Sequence, residues 1–366
     1  MATVRLKLRM FIALLLSSLV FFLFVWGITY LLQSYFPSSQ IISVSHIPLI
    51  SYIPFIGQPL NQVLTLLVNS IMGPLFLPFI ITIIFVLIQF FTGPAIVARV
   101  MKLRYLQPGE DRWLQGTVQE LAQESNLPTP RVALSPVREA NAFTFGRSAK
   151  GATLAVTEGL MNTLNKDEVR GVIGHELGHV KHKDYIMITI LSALPLLAYM
   201  VASVAFQAGI YSGGQTKSSR NNNAGSLILI AGALSLLVYF IFTLIVMSVS
   251  RTREFLADKF SATTTKNPKS LQSALVRIST NLAQSRRKTV GARAFFIADP
   301  VNAERDVQTL EERGMVSDEE IARTIQAGRQ RNSFLGLNSI LSTHPPVYRR
   351  LENLAEIDKS LREVRN

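Results

Sequence analysis

The longest stretch of the chain without Asp, Glu, Lys or Arg runs from residue 10 to residue 98. Two further uncharged stretches follow, at 185–216 and 221–250. A helix needs roughly 20 mainly apolar residues to cross a bilayer, and each stretch is long enough for at least one crossing. We therefore predict about four transmembrane helices, at residues 10–33, 74–97, 187–210 and 226–249.

The composition of the chain agrees with this prediction. Apolar residues make up 48% of the 366 residues, yet the formal net charge is +13. These values conflict in a soluble protein, but they agree if the apolar residues lie in membrane spans and the basic residues lie beside them. A cleaved signal peptide is an alternative for the first segment. A retained signal anchor fits better, because the apolar stretch is too long and no small-residue cleavage site follows it.

The basic residues next to the spans predict the orientation. Cytoplasmic loops carry an excess of Lys and Arg. Basic residues precede the first span and follow the second and fourth: Arg5, Lys7, Arg9, Arg99, Lys102, Arg104, Arg251, Arg253 and Lys259. We expect a multi-pass protein of the cell membrane with both termini and the active site in the cytoplasm. Anionic lipid accounts for the positive charge, and no motif predicts a nucleic-acid partner.

The spans divide the chain into four predicted parts. These are an N-terminal transmembrane hairpin (1–98), a cytoplasmic part (99–186), a second transmembrane hairpin (187–250) and a helical cytoplasmic part (251–366). In the last part, residues 304–331 are charged and amphipathic, but they carry no recognisable function.

Short patterns predict the structure of the first cytoplasmic part. Helical periodicity predicts a helix over 111–124, and turn-bounded β-branched runs at 131–135 and 153–157 predict strands. Asn165 followed by Glu168 is typical of a capping box that opens a helix. We expect that helix to run toward the third span.

The pattern His175-Glu176-Leu-Gly-His179 carries the candidate chemistry. Histidines four residues apart lie on one face of a helix, so both side chains can reach one metal ion. The chain has no cysteine, which leaves histidine and carboxylate as metal ligands. Zinc lowers the pKa of a bound water to about 7, and Glu176 can then act as the general base.

A third ligand is available after the fourth span. Catalytic zinc usually has three protein ligands and one open position. Glu254 and Asp258 lie one turn apart on a predicted helix, and two antiparallel spans return the chain to the side of His179. Glu254 could bind zinc, and Asp258 could accept a hydrogen bond from a ligating imidazole. An acidic pair on a solvated helix is the alternative.

The other histidines are weaker candidates. His344 precedes two prolines, and a donor there could stabilise the oxyanion of a peptide-hydrolysis intermediate. A surface position is the alternative for His344. His182 as a fourth ligand would close the open position, so we expect it to support the site or to lie on the surface. His46 lies in the predicted external loop.

Five motifs together resemble the HtpX-type heat-shock membrane proteases, which are related to the CAAX prenyl endopeptidases. In chain order they are Asn141-Ala142-Phe143 followed by Gly146, Thr157–Leu160, Asp167–His179, Glu254-x-x-x-Asp258 and Thr343–Pro346. The similarity extends from about residue 107 to residue 354.

This resemblance implies a mainly α-helical integral membrane protein with a cytoplasmic α+β gluzincin-type metalloprotease domain that carries a small sheet. It implies His175, His179 and Glu254 as ligands of one zinc ion and Glu176 as the base. It implies cleavage of polypeptides, namely misfolded or damaged membrane proteins. Phe255 stands where many relatives have tyrosine, so no hydroxyl is available there.

The resemblance also implies where substrate binds. Asn141, Ala142 and Phe143 would form an edge strand that holds an extended substrate by β-augmentation, in which the substrate adds a strand to the sheet. Arg350 would anchor a carboxylate.

Three other functions are compatible with parts of the sequence. A prenyl-protein endopeptidase shares the motifs, but we expect more spans around its chamber. A non-catalytic membrane adaptor would hold a structural zinc with four ligands. A transporter would place ionisable residues within its spans, and the predicted spans contain none. The sequence carries no signal for the oligomeric state.

Overall fold

The structure is a computed structural model that describes residues 73–184, 223–284, 316–333 and 344–365, together with Ser342 and six residues between 195 and 206. The predicted first span lies outside the described residues, and so do the external loop before residue 73 and most of the third span. These predictions therefore remain predictions.

Helices dominate the described residues. The elements in chain order are α1 (Gly73–Val100), β1 (Arg104–Tyr105), α2 (Arg112–Glu124), β2 (Arg131–Ser135), β3 (Ala142–Phe145), β4 (Thr153–Thr157), α3 (Glu158–Thr163), α4 (Lys166–His182), α5 (Asn223–Thr265), α6 (Pro268–Gln284), α7 (Asp318–Ser333) and α8 (Val347–Arg365).

The strands form one small mixed sheet in the order β1-β2-β4-β3. Strands β2 and β4 are parallel, and β3 pairs antiparallel with β4. Every residue of β4 is buried, as expected for an inner strand that is covered on both faces. The strands predicted at 131–135 and 153–157 are confirmed, and β3 lies at one edge of the sheet.

Helix α4 begins with the predicted capping box. The side chain of Asn165 accepts a hydrogen bond from the Glu168 N–H at 2.9 Å, and the Glu168 carboxylate accepts one from the Asn165 N–H at 2.8 Å. Both bonds satisfy backbone donors that the first turn of a helix leaves free.

Glycines allow α4 to pack closely against α5. A Cβ atom at Gly178 would lie 2.8 Å from the Cα of Ala257, and one at Gly174 would lie 2.9 Å from Oγ of Ser261. The backbone carbonyl of Gly171 also accepts a hydrogen bond from Ser261 at 2.6 Å. This close approach brings the histidine face of α4 next to the C-terminal half of α5.

The sheet and helices α2–α4 and α6–α8 share one hydrophobic core with the C-terminal half of α5. Its fully buried residues come from elements far apart in the chain and include Leu114, Leu154, Ile173, Leu271 and Leu351. Full burial of such a side chain contributes about 1.5–3 kcal/mol. The core therefore fixes α4, which carries two of the candidate ligands.

Helices α1 and α5 cover the predicted second and fourth spans. Among the described residues, the segment Gly232–Thr265 is long and apolar enough to cross a membrane, and Leu87–Val100 is a shorter apolar segment. Ile88, Phe91 and Leu237 on these helices are exposed. Residues before 90 in α1 and before 246 in α5 belong to a second unit, separate from the unit with the sheet.

Candidate active site

One face of α4 brings His175, Glu176 and His179 together. The Nε2 atoms of the two histidines are 3.2 Å apart. One ligand atom from each of the three residues lies within 4.8 Å of the others. His175 and Glu176 are buried, and His179 is partly accessible. The predicted spacing therefore produces a compact group of metal-binding atoms.

Glu254 on α5 completes this group. One carboxylate oxygen lies 3.4 Å from Nε2 of His175, and the other lies 3.7 Å from Nε2 of His179. Oε2 of Glu254 is buried and accepts no hydrogen bond within the described part of the chain. The sequence placed Glu254 here from the number of intervening spans, and the two helices do bring it beside both histidines.

Asp258, one turn beyond Glu254, contacts the Nδ1 side of the His175 ring. Its carboxylate lies 2.9 Å from Nδ1 of His175, the contact that the sequence predicted. Burial lowers the pKa of His175, but the neighbouring carboxylates of Asp258 and Glu254 outweigh burial and raise this pKa to about 9. The carboxylates around His175 therefore favour a positively charged ion at this point.

Arg350 on α8 is buried among these carboxylates. It donates hydrogen bonds to both oxygens of Asp258, at 2.9 and 2.6 Å, and lies 3.3 Å from an oxygen of Glu254. The resemblance assigned Arg350 to a substrate carboxylate. In the structure its guanidinium pairs with two carboxylates of the chain itself, and its role toward a substrate stays a prediction.

Asp184 and Arg253 were not predicted from the sequence as site residues. The Asp184 carboxylate lies 2.6 Å from Nδ1 of His179 and 3.0 Å from Nε of Arg253. Burial raises the pKa of Asp184, but the charge of Arg253 and the bond to His179 outweigh it, so the pKa is lowered. The available signal was an acidic residue just after the helix, five positions beyond His179.

His344 lies beside Glu254, and its Nδ1 is 3.6 Å from a carboxylate oxygen of that residue. Arg251 on α5 donates a 2.7 Å hydrogen bond to the carbonyl of Ser342, which holds the His-Pro-Pro segment against the site. His182 is half-buried, and its ring faces Phe260 with centroids 6.3 Å apart. His182 is not in the metal-binding group formed by described residues.

The predicted substrate-binding residues lie in and before β3. Asn141, Ala142 and Phe143 are all buried. The outer edge of β3 has no strand partner in the described sheet. The side chain of Thr144 points to the opposite face of the strand from that of Phe143. It donates a 3.4 Å hydrogen bond to the backbone carbonyl of Glu176. The edge strand thus lies directly beside the helix that carries the candidate base.

Comparison with known proteins shows the family of the chain. Residues 108–358 match the family described as Peptidase family M48. A protein described as "Protease HtpX homolog" from Aeropyrum pernix is 35% identical over 293 residues, which cover 77% of this chain and 86% of that protein. A protein of the same description from Moorella thermoacetica is 32% identical over 283 residues, or 76% and 83% of the two chains.

A solved structure gives a further comparison. The crystal structure of S. mikatae Ste24p superposes with a TM-score of 0.48 and 17% sequence identity, covering 81% of this chain and 65% of that one. On the family match and the identity to the two relatives, the chain belongs to peptidase family M48, as a metallopeptidase of the HtpX type.

Proposed function

We propose that this protein is a membrane-bound zinc endopeptidase that hydrolyses misfolded or damaged membrane proteins on the cytoplasmic side. Its proposed ligands are His175, His179 and Glu254, with one zinc ion per chain. The observation that carries the proposal is the spacing of the ligand atoms: the two Nε2 atoms are 3.2 Å apart, and a carboxylate oxygen of Glu254 lies 3.4 Å from one of them and the other oxygen 3.7 Å from the second.

That spacing fits zinc. Zinc binds nitrogen and oxygen ligands at about 2.0–2.2 Å, so neighbouring ligand atoms in a tetrahedral site are roughly 3.3 Å apart. Two imidazoles and one carboxylate supply three ligands, and the fourth position stays open for water or substrate, as in catalytic sites. Oε2 of Glu254 is buried with nitrogen atoms of His175 and Arg350 at 3.4 and 3.3 Å but no hydrogen-bond partner in the described part of the chain, so it keeps lone pairs that a cation could bind. A bound zinc ion would supply Lewis acidity and lower the pKa of a water to about 7.

Glu176 acts as the general base in this proposal. Its carboxylate takes a proton from the attacking water and passes it to the amine that leaves when the peptide bond breaks. Glu176 is buried, and one of its carboxylate oxygens lies within 4.8 Å of a ring nitrogen of each of the two histidines, which would place the carboxylate beside a water bound at this site. A glutamine at this position would keep the shape of the side chain but could not accept the proton.

His344 is proposed as the donor to the developing oxyanion. It lies next to Glu254 on the rim of the ligand group, and its Nδ1 makes no hydrogen bond among the described residues. A donor that is already in place where negative charge develops stabilises the transition state without further reorganisation.

The outer edge of β3 is proposed to hold the substrate. Because Ala142 and Phe143 bury their side chains, an extended substrate would bind through the backbone of the strand. Such β-augmentation depends little on the sequence of the substrate. This property suits an enzyme that acts on unfolded segments of many proteins.

The membrane location rests on the apolar stretches of the sequence. The exposed apolar side chains of α1 and α5 support at least these two spans. The remaining two spans, the cytoplasmic orientation and the division of the chain into four parts are proposed from the distribution of charged residues alone.

The test compares the wild-type protein with Glu176→Gln on an unfolded membrane-protein substrate, with and without a chelator. We expect the variant to lose cleavage by several orders of magnitude while it retains zinc, and the chelator to stop the wild type. Glu120→Gln is the matched control, because Glu120 is an exposed carboxylate that pairs with Arg170 on α4. Undiminished cleavage by Glu176→Gln would refute the mechanism, and preferential cleavage of a farnesylated CAAX peptide would refute the substrate class.

A further inference from the structure

One carboxylate connects the two helices that carry the candidate ligands. Asp184 follows α4 and lies 2.6 Å from Nδ1 of His179, on the side of the ring away from Nε2. Its other oxygen lies 3.0 Å from Nε of Arg253 on α5. Arg253 immediately precedes Glu254, so a short chain of contacts leads from one ligand to another. Asp184 and Arg253 are both buried.

The backbone brings Asp184 into this position by an unusual turn. On a continuous α-helix, a residue five positions after His179 would point about 140° away from it, since each residue turns the helix by about 100°. Helix α4 instead ends at Lys183, which adopts the left-handed conformation with φ 56° and ψ 39°. That conformation is rare for residues other than glycine and asparagine, and it turns Asp184 back toward His179.

We propose that Asp184 is a positioning residue of the metal site, which orients His179 and, through Arg253, fixes α4 relative to α5 at Glu254. The inference rests on the proposed function, because it assumes that His179 and Glu254 bind the metal.

The physical reason lies in the two ring nitrogens of histidine. When Nδ1 donates its hydrogen to a carboxylate, Nε2 is left unprotonated and its lone pair points toward the metal. The carboxylate also increases the basicity of the ring and limits its rotation. Arg253 holds the carboxylate of Asp184 in place at 3.0 Å, so the same ion pair sets the distance between His179 and the carboxylate of Glu254.

A purely structural role for Asp184 is the competing explanation. A buried ion pair at a helix end could simply hold the two helices together. The two explanations predict different results, because a structural residue would change the thermal stability of the protein without changing the intrinsic affinity for zinc.

The experiment measures the zinc dissociation constant of the full-length protein in detergent by competition with a chromophoric chelator, together with the melting temperature. The variants are Asp184→Ala, Asp184→Asn and the control Glu120→Gln. Loss of a hydrogen-bonding partner of a metal ligand typically weakens metal binding 10–100-fold. We expect a loss of about this size for Asp184→Ala and a smaller loss for Asp184→Asn, whose amide oxygen can still accept from Nδ1. The control should bind zinc as the wild type does.

The absorption spectrum of the Co²⁺-substituted protein gives a second readout. We expect its ligand-field bands to shift in both Asp184 variants but not in the control, because the orientation of an imidazole ligand changes. If Asp184→Ala does not fold, Asp184→Asn decides the question alone. A folded Asp184 variant with wild-type affinity and spectrum would overturn the inference. Failure of the wild type to bind zinc would instead refute the proposed function.

Discussion

The two histidines of the site are supported in the same way but in different surroundings. We call His175, Asp258 and Arg350 the inner support, and His179, Asp184 and Arg253 the outer support. In the inner support the side chains are 0%, 0% and 1% exposed. In the outer support they are 15%, 2% and 9% exposed. Each support therefore joins an imidazole to a carboxylate and the carboxylate to an arginine. Only the side chains of the inner support are almost completely buried.

The difference in burial indicates that the two sides of the site contribute unequally to the stability of the fold. The inner support joins α4, α5 and α8, and Arg350 makes two hydrogen bonds to Asp258 while also facing Glu254. Charges buried to this degree are costly unless they are all paired. The outer support has one arginine contact and lies nearer to solvent. We therefore expect changes on the inner side to cost more folding stability than changes on the outer side, and changes of the carboxylate on either side to weaken metal binding.

The largest effect is expected for Arg350→Met. Removing this guanidinium leaves Asp258 and Glu254 as buried carboxylates without their arginine, and breaking a buried ion pair costs about 3–5 kcal/mol. The corresponding outer change, Arg253→Met, should cost about 1–3 kcal/mol, because Asp184 keeps its bond to His179. Chemical denaturation of both metal-free proteins measures the difference. Equal losses would show that burial does not distinguish the two supports.

Asp258→Asn should weaken zinc binding by about 10–100-fold, because His175 loses the charged partner that orients its ring. The loss should be at least as large as that for Asp184→Asn, since no water can replace the missing charge at a fully buried position. Competition with a chelator measures both constants under the same conditions. A larger loss of zinc affinity in Asp184→Asn than in Asp258→Asn would show that the outer carboxylate matters more for metal binding.

A smaller effect is expected in the pH dependence of folding stability and of zinc affinity. The pKa of His175 is raised to about 9 in the folded, metal-free protein, above the value of about 6.5 for an unfolded histidine. The protonated ring therefore stabilises the metal-free fold fully below pH ~6.5, and this stabilisation is lost as the pH rises through about 9.

Zinc binding must displace that proton, so the affinity should increase up to about pH 9, by as much as tenfold per pH unit. Calorimetry in buffers of different ionisation enthalpy measures the proton release at neutral pH. Asp258→Asn should reduce the release, because Asp258 is one of the groups that raise this pKa. Zinc binding that releases no proton in the wild type would show that His175 is already neutral.

The parts of the site that the sequence predicted depend on local patterns. The spacing of His175 and His179 on one helix face, the capping box at Asn165 and the strand at 153–157 follow from periods of a few residues. Glu254 was a longer inference from the predicted spans, and in the structure the packing of α5 against α4 places its carboxylate beside both histidines.

The outer support could not be predicted, because it depends on one backbone angle. Helical periodicity points Asp184 away from His179, and only the left-handed conformation of Lys183 brings it back. Nothing in the sequence requires that conformation of a lysine.

The contacts of Arg350 could not be predicted from the sequence either. Arg350 and Asp258 are 92 positions apart, and their pairing depends on how α8 packs against the core. A basic residue after two prolines is compatible with either a substrate carboxylate or a carboxylate of the chain. Sequence spacing alone does not separate these two possibilities.

The ligand set is the central claim of this account, and X-ray absorption at the zinc edge tests it most directly. For the zinc-loaded wild type we predict two imidazole nitrogens and oxygen ligands, with one imidazole lost in His179→Ala and no change in His182→Ala. Glu254→Gln should alter the oxygen shell. A spectrum with three or four imidazoles, or one that is unchanged in both His179→Ala and Glu254→Gln, would contradict the claim.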